Sequence, residues 1–332
     1  MTEKIRIEEV ARLAGVSPTT VSRVINNFPT VTKANRAKVE QAIQQLNFKP
    51  NIIAQRLAKG KSDTIALVIP RYEGIFFSFY ANQIIRGVGV AAENLKLDLL
   101  LHLSSGRDEP SAMMAGGILF ADIIGNKKAL EGAQQAGLAS VVMNCLLEDP
   151  QVNCVYIDNN KGAQQAVEYL LNLGHVNVAH ITGDLKSQSA QQRLEGYKAI
   201  FQKHGIKIKD PLIVEGDYSR PSARKAMAAL LDLKTPPTAV FIASDDMAEE
   251  AIAVILEHGL KVPQDISVIG FDDNPICLYG SVALTTVRQP LIEMAAKATS
   301  LLHKIMSSKT TPPPTKMALP AQLIIRDSCR QI

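Results

Sequence analysis

The stretch IRIEEVARLAGVSPTTVSRVINNFPTVTKANRAKVEQAIQQLNFKPNIIAQRLAK, residues 5–59, decides how the chain is read. Ile7, Val10, Ala11 and Ala14 recur at i, i+3, i+4 and i+7, which is one face of a helix. Gly15 then offers a left-handed exit from that helix. Ser17 and Pro18 supply the N-cap and first-turn residue of a second helix running to about Asn26. In that helix Val21, Val24 and Ile25 point inward, and Thr19, Thr20, Arg23, Asn26 and Asn27 point outward. Two short helices joined by so tight a turn must cross steeply, as in a helix-turn-helix unit. Thr32 caps a third helix, whose apolar stripe is Val39, Ala42, Ile43 and Leu46. So small a domain holds together only by packing all three stripes against one another.

The outward face of the second helix is the candidate recognition surface. Short threonines near its N-terminus permit close approach to a duplex groove, and Arg23 is long enough to reach a guanine edge. Arg23 could equally bond a phosphate or simply be solvated. Lys33, Arg36, Lys38 and Lys49 flank the helix as phosphate contacts, which set affinity and salt dependence but carry no sequence information. Charge distribution fits this reading. Residues 1–61 hold eleven Lys/Arg against four Asp/Glu, whereas the rest of the 332-residue chain is mildly acidic. A basic head suits a polyanion, although a merely soluble basic domain would look the same.

Pro50 ends the third helix and Asn51 caps IIAQRLAKGKS. Eight helical residues are too few to be stable alone in water. Ala54, Leu57 and Ala58 share one narrow apolar face. Leu57 either packs on a domain or wedges between base steps from the minor groove.

From residue 62 onward short β-rich runs alternate with amphipathic helices. Strands are predicted at Thr64–Ile69, Leu97–Leu103, Gly117–Phe120, Ala139–Met143, Cys154–Ile157, Val178–Thr182, Ala239–Ile242, Ser267–Phe271 and Leu284–Val287. Helices are predicted at Asn159–Leu173, Ser189–His204, Ser222–Leu231 and Asp246–His258. That alternation implies an α/β body of parallel sheets covered on both faces, and its length implies two lobes. Ligands of such sheets bind beyond the carboxyl ends of the strands. Asn144, Asp158, Asp184, Asp217, Tyr218, Ser244, Asp245, Asp246, Asp272 and Asp273 all follow predicted strands. Carboxylates and amides beside an aromatic ring suit a polyhydroxylated ligand such as a sugar. Asp158 and Asp245 could instead cap the helices that follow them.

The head, VARLAGVSPTTVSRVINN followed by VTKANRAKVEQAIQQLNFKPNIIAQRLAKGKS, strongly resembles that of the LacI/GalR family of bacterial transcription regulators. The resemblance implies that the helix at 18–26 enters the major groove, with Ser17, Thr19, Thr20, Arg23 and Asn26 at the DNA. It implies that residues 51–58 form a hinge helix whose Leu57 intercalates in the minor groove, with Ala54 also at the DNA. The body resembles the family's effector domain through FYANQIIRG, YIDN, LGH, RLEGY, EGDY, PTAVFIASDDMA, GLKVPQDISVIGFDD and LTTVRQP. By position this implies effector contacts at Phe79, Asn144, Asp158, Arg193, Tyr218, Ser244, Asp272 and Gln289. Arg193 has the strongest case, because a fork of donors can clamp a ligand at two points, although it could instead pair with Asp184 or Glu195.

The expected organisation is a helix-turn-helix head at 1–49, a hinge at 50–61, and an effector-binding and dimerisation body at 62–332. The first lobe comprises about 62–158 plus 288–318, and the second about 159–287 plus 319–332. Three features depart from the family pattern: a thirteen-residue crossover, Ser104–Gly116; an aromatic segment, Arg71–Ser78; and Ser244 where Asn is common. The chain also ends at RDSCRQI without heptads. The crossover leaves dimer geometry open.

No G-x-G-x-x-G, P-loop or H-E-x-x-H motif occurs, so no catalytic residues, cofactor or metal are expected. Cys145, Cys154, Cys277 and Cys329 form no CxxC and suit buried thiols in a reducing cytosol. His175 and His180 are expected to be structural. The charged N-terminus lacks a signal-peptide core, so the expected location is cytoplasmic. The expected partners are a near-palindromic DNA operator, a small sugar-like effector and a second copy of the chain. Two other readings stay open: a DNA-binding regulator with a degenerate cleft, and a solute-binding protein.

Overall fold

The structure, a computed structural model, describes residues 7–25, 30–46, 48, 63–71, 75–105, 115–308, 310 and 312–332. It divides into two compact units, Met1–Asp63 and Thr64–Ile332. In the first unit, helices α1 (Ile7–Ala14), α2 (Pro18–Ile25) and α3 (Lys33–Gln45) pack on one small core. Val10, Ala11, Ala14, Val21, Val24, Val39 and Ala42 are buried there. Ile25, Ile43 and Leu46 close its edge, as their spacing predicts. Gly15 has φ +65° between α1 and α2, a conformation that costs a residue with a Cβ and suits glycine. The Thr32 hydroxyl accepts from the Asn35 N–H at 3.3 Å and caps α3.

The second unit is an α/β body. Among the described residues its larger sheet contains β1 (Thr64–Pro70), β2 (Asp98–Ser104), β3 (Gly117–Phe120), β4 (Ala139–Met143), β5 (Asn153–Ile157) and β11 (Lys316–Leu319). Their order is β11-β5-β4-β3-β1-β2, and every pairing is parallel. Helices α4 (Phe79–Asn94), α5 (Lys127–Gln135) and α10 (Leu291–Ser307) belong to this lobe. The smaller sheet orders β7 (Ile213–Val214), β6 (Val178–Ile181), β8 (Ala239–Ile242) and β9 (Ser267–Ile269), again all parallel. Helices α6 (Asn159–Asn172), α7 (Gln188–Lys203), α8 (Arg220–Leu231) and α9 (Asp245–Glu257) accompany it. An antiparallel pair, β10 (Thr286–Arg288) with β12 (Gln322–Ile324), lies along the crossing between the lobes.

The continuous apolar runs explain the parallel sheets. β1 is TIALVIP, and its five central residues are buried, because helices cover both faces. β3, β6 and β8 are buried along their whole length. Each fully buried Val, Leu or Ile contributes about 1.5–3 kcal/mol, before chain entropy is subtracted.

Several boundaries differ from the pattern-based ones. β9 ends at Ile269 rather than Phe271, because Phe271 turns inward beneath Arg193. β10 is Thr286–Arg288 rather than Leu284–Val287, and α8 starts at Arg220 because Ser219 rather than a later residue is its cap. β11, β12 and the one-turn helix Ile75–Phe77 have no clear period in the sequence. The Ser104–Gly116 crossover does join two parallel strands, β2 and β3, on either side of β1, but residues 106–114 lie outside the described residues.

The chain passes between lobes three times, after β5, after β10 and after β11. Asp273 ties the last two crossings together: Arg288 Nε donates to its Oδ2 at 2.6 Å and Arg326 donates to its Oδ1 at 2.5 Å. These cations hold its carboxyl below the usual range although burial opposes them.

Candidate functional site

In the head the exposed face of α2 carries Thr19 and Arg23, with Thr20 half-buried beside them. Ser17 serves as the cap: its Oγ accepts from the Thr20 N–H at 3.2 Å and lies 2.9 Å from the Thr20 hydroxyl. Ser17 and Thr20 thus hold the start of the helix, while Thr19 and Arg23 are the side chains left facing outward. Asn26, Ala54, Leu57 and the hinge at 50–61 lie outside the described residues, as does Lys49.

In the body the candidate residues gather at the carboxyl ends of both sheets. Asn144 follows β4, Asp158 follows β5, Ser244 follows β8, Asp272 follows β9 and Gln289 follows β10. Arg193, on α7, is buried at 3 % exposure. Its Nε donates to Asn159 Oδ1 at 3.0 Å, a second nitrogen donates to the Ala243 carbonyl, and its carbon lies 3.8 Å above the Phe271 ring. It bonds neither Asp184 nor Glu195 in this arrangement. Asp184 Oδ1 instead accepts from the Lys186 N–H. The remaining guanidinium N–H groups are free for a ligand, and the aromatic face strengthens the cation's hold.

Asp272 is part-open to the cleft, yet its carboxyl lies among protein atoms. Burial pushes it well above the carboxylate range, with the Arg193 charge opposing and Asp245 assisting. Gln289 Nε2 donates to its Oδ1 at 2.5 Å. A carboxyl held in its protonated form can both donate and accept a hydrogen bond. The Gln289 Oε1 and Asn144 Oδ1 atoms are buried with no protein donor. Buried acceptors of this kind are rare, and both sit where a ligand hydroxyl could supply the missing donor.

Backbone strain gathers at the same place. Among the described residues, Asn144 (φ +57°), Tyr218 (φ +69°), Asp272 (φ +126°) and Asp273 (φ +59°) are four of the five non-glycine residues with positive φ. Such conformations persist where the surroundings hold them and cluster at binding sites. The Tyr218 ring lies so close over Gly183 that a Cβ there would come within 2.1 Å of it. The Tyr218 hydroxyl is 3.3 Å from Ser189 Oγ and 3.5 Å from Ser187 Oγ.

Other candidates have structural roles. Asp158 Oδ1 accepts from the Lys161 N–H at 2.9 Å, capping α6. Ser244 caps α9 through the Met247 N–H. Asp245 is wholly buried, takes bonds from Asn274 N–H and Thr286 Oγ1, and is raised by burial to about 6. Phe79 is half-buried against the large core, whereas its neighbours Phe76 and Phe77 are exposed. His175 bonds Thr238 Oγ1 and the Arg330 carbonyl, and His180 stacks between Tyr197 and Phe241. Both are built into the fold. The four cysteines form no disulfide. Among the described residues no cluster of His, Cys, Asp and Glu could hold a metal ion, and no helix is long and apolar enough to cross a membrane.

Residues 6–51 match the model of bacterial regulatory proteins of the lacI family, and residues 167–329 match a periplasmic binding protein-like domain. The chain is 35% identical to the "Probable HTH-type transcriptional repressor ExuR" of Bacillus subtilis (strain 168), over 99% of each chain. The chain belongs to the LacI family of bacterial transcription regulators. Two solved structures of family members agree along nearly the whole chain. The CelR–cellobiose complex superposes with a TM-score of 0.74 at 30% identity, covering 98% of this chain and 99% of that one. The lac repressor dimer bound to operator and the anti-inducer ONPF gives 0.82 at 26% identity, covering 99% and 100%.

Reading strand ends finds Asn144, Asp158, Tyr218, Ser244 and Asp272, but it misses residues whose role depends on packing. Asn159 orients Arg193, Phe271 supports it, and Gly183 makes room for Tyr218. The repeated departure to positive φ could not be foreseen, because Asn144, Tyr218 and Asp272 are not glycines.

Proposed function

We propose that this LacI-family regulator is a homodimeric repressor that binds a near-palindromic operator and responds to a small polyhydroxylated effector held between its lobes. Thr19 and Arg23 reach base edges from α2, with Ser17, Thr20 and Asn26 completing the contact surface. The flanking lysines and arginines hold phosphates. In the hinge at 50–61, Leu57 wedges into the minor groove and Ala54 also meets the DNA. Arg193, Asp272, Gln289, Asn144 and Tyr218 bind the effector. The second oxygen of Asp158, the Ser244 hydroxyl and the edge of Phe79 complete the set. The lobe boundaries are those of the sequence reading, near 158, 288 and 318. The protein works in the cytoplasm, by binding rather than catalysis.

The observation that carries the effector reading is the meeting of Arg193, Asp272 and Gln289 at the strand ends: the Arg193 charge acts on the Asp272 carboxyl, Gln289 Nε2 donates to that carboxyl, and Gln289 Oε1 is buried without a protein donor. Leaving such an acceptor unmatched costs about 1–3 kcal/mol, which a ligand hydroxyl would recover. Relatives support the same class: one solved regulator, at 30% identity, is a complex with cellobiose. Titration calorimetry against neutral sugars, sugar acids, sugar phosphates and nucleosides tests the reading. Binding of one class, lost in Arg193→Lys, is the expected result. No heat from any class in a protein that still binds duplex DNA would favour a regulator without a working cleft.

A further inference from the structure

Gln188, the first residue of α7 in the second lobe, bonds across to the first lobe. Its Oε1 accepts from the Leu146 N–H at 2.7 Å, and its Nε2 donates to the Leu146 carbonyl at 2.9 Å. Leu146 lies in the connection between β4 and β5, two residues beyond Asn144. One side-chain amide thus meets both polar groups of one residue's backbone, with ordinary hydrogen-bond lengths. Both partners are half-buried, and neither belongs to a hydrophobic core.

The connection itself does not depend on this contact. Lys316 Nζ donates to the Leu147 and Asp149 carbonyls at 2.8 Å each, and Asp149 Oδ1 accepts from the Gln151 N–H. The start of α7 is likewise fixed without Gln188, because Ser187 Oγ accepts from the Ala190 N–H. What the Gln188 amide adds is a tie between lobes, at a point distant in sequence from the three crossings. The same first turn carries Ser187 and Ser189 towards the Tyr218 hydroxyl, and Arg193 follows farther along α7.

We propose that Gln188 is a clasp between the lobes, a positioning residue that sets how far the cleft is closed before any effector binds. This rests on the reading that an effector is held between the lobes, and so binds according to how they are arranged. Two net hydrogen bonds bias the closed arrangement by about ten- to thirty-fold. An effector then shifts an existing equilibrium only by its differential affinity for the two arrangements. Gln188→Ala removes both bonds. Gln188→Glu keeps an acceptor for the Leu146 N–H but loses the donor to its carbonyl, and so should fall between.

The test uses the full chain without ligand or DNA, so that its failure leaves the regulator reading untouched. Hydrogen exchange is followed by mass spectrometry in the wild type and both variants. In parallel, spin labels on the exposed positions Glu131 and Lys225, in a Cys329→Ser background diluted with unlabelled protein, report the distance between lobes. The expected result is exchange about tenfold faster over residues 144–148 in Gln188→Ala, unchanged exchange in β1 and β8, and a label distance shifted longer. Gln188→Glu should be intermediate in both. Unchanged protection at Leu146 overturns the proposal. Faster exchange with an unmoved label distance also overturns it, because the bond would then hold only the local turn. Loss of protection throughout both cores assigns Gln188 to stability alone.

Discussion

Burying a guanidinium is costly, and at Arg193 part of that cost is offset by Asn159, by the Ala243 carbonyl and by the face of Phe271. Arg193→Ala should therefore do more than remove a ligand contact. It would strand the Asn159 oxygen and leave a cavity, and we expect a loss of about 2–4 kcal/mol in denaturant unfolding. Arg193→Lys keeps the charge but not the planar fork. It should fold and bind DNA while losing effector affinity at least tenfold by calorimetry. His180 makes a separate prediction. Burial between Phe241 and Tyr197 pushes its pKa down to about 4 from 6.5. The unfolded chain therefore binds more protons between those values, so His180 favours folding above pH 6.5 and that contribution fades as pH falls towards 4. The full effect is about 3 kcal/mol. His180→Phe should flatten the acid limb of a stability-against-pH curve; an unchanged limb would assign acid sensitivity elsewhere.

At the scale of elements, α7 and β6 together build the effector end of the second lobe. The Tyr218 ring occupies the space a side chain at Gly183 would need, directly after β6. Gly183→Ala should displace the ring, lower effector affinity about tenfold by calorimetry, and leave the Ser187 cap of α7 and the far-ultraviolet spectrum unchanged. Unaltered affinity would place Tyr218 outside the effector site. These elements differ in how legible they were in sequence. β3, β4 and β8 were foreseen at their observed ends, because a buried parallel strand is an unbroken apolar run between turn residues. The three head helices were legible from caps and spacing. β12 was not, since Gln322–Ile324 is short and its pairing with β10 is non-local. The strand-end rule placed the candidate residues at the strand ends but could not separate their roles. Asp158, Asp245 and Asp272 look alike in sequence, yet one caps a helix, one is fully buried and one faces the cleft. Packing makes that difference.

For the whole molecule, a basic head on an acidic body predicts DNA affinity that falls steeply with salt. Lys38 is exposed on α3, and if it meets a phosphate, Lys38→Ala should weaken binding to all sequences alike and lower the log–log salt slope by about one for each head engaged. Arg23→Ala should instead relax sequence preference, at a cost of about 1–3 kcal/mol for the base pair concerned. The most direct test of the account is selection of binding sites by the purified chain from random duplex DNA, with footprinting of the enriched sequence. One enriched motif with two-fold symmetry is expected, protected across both half-sites. Enrichment of no motif, or an asymmetric footprint covering one half-site, would contradict it.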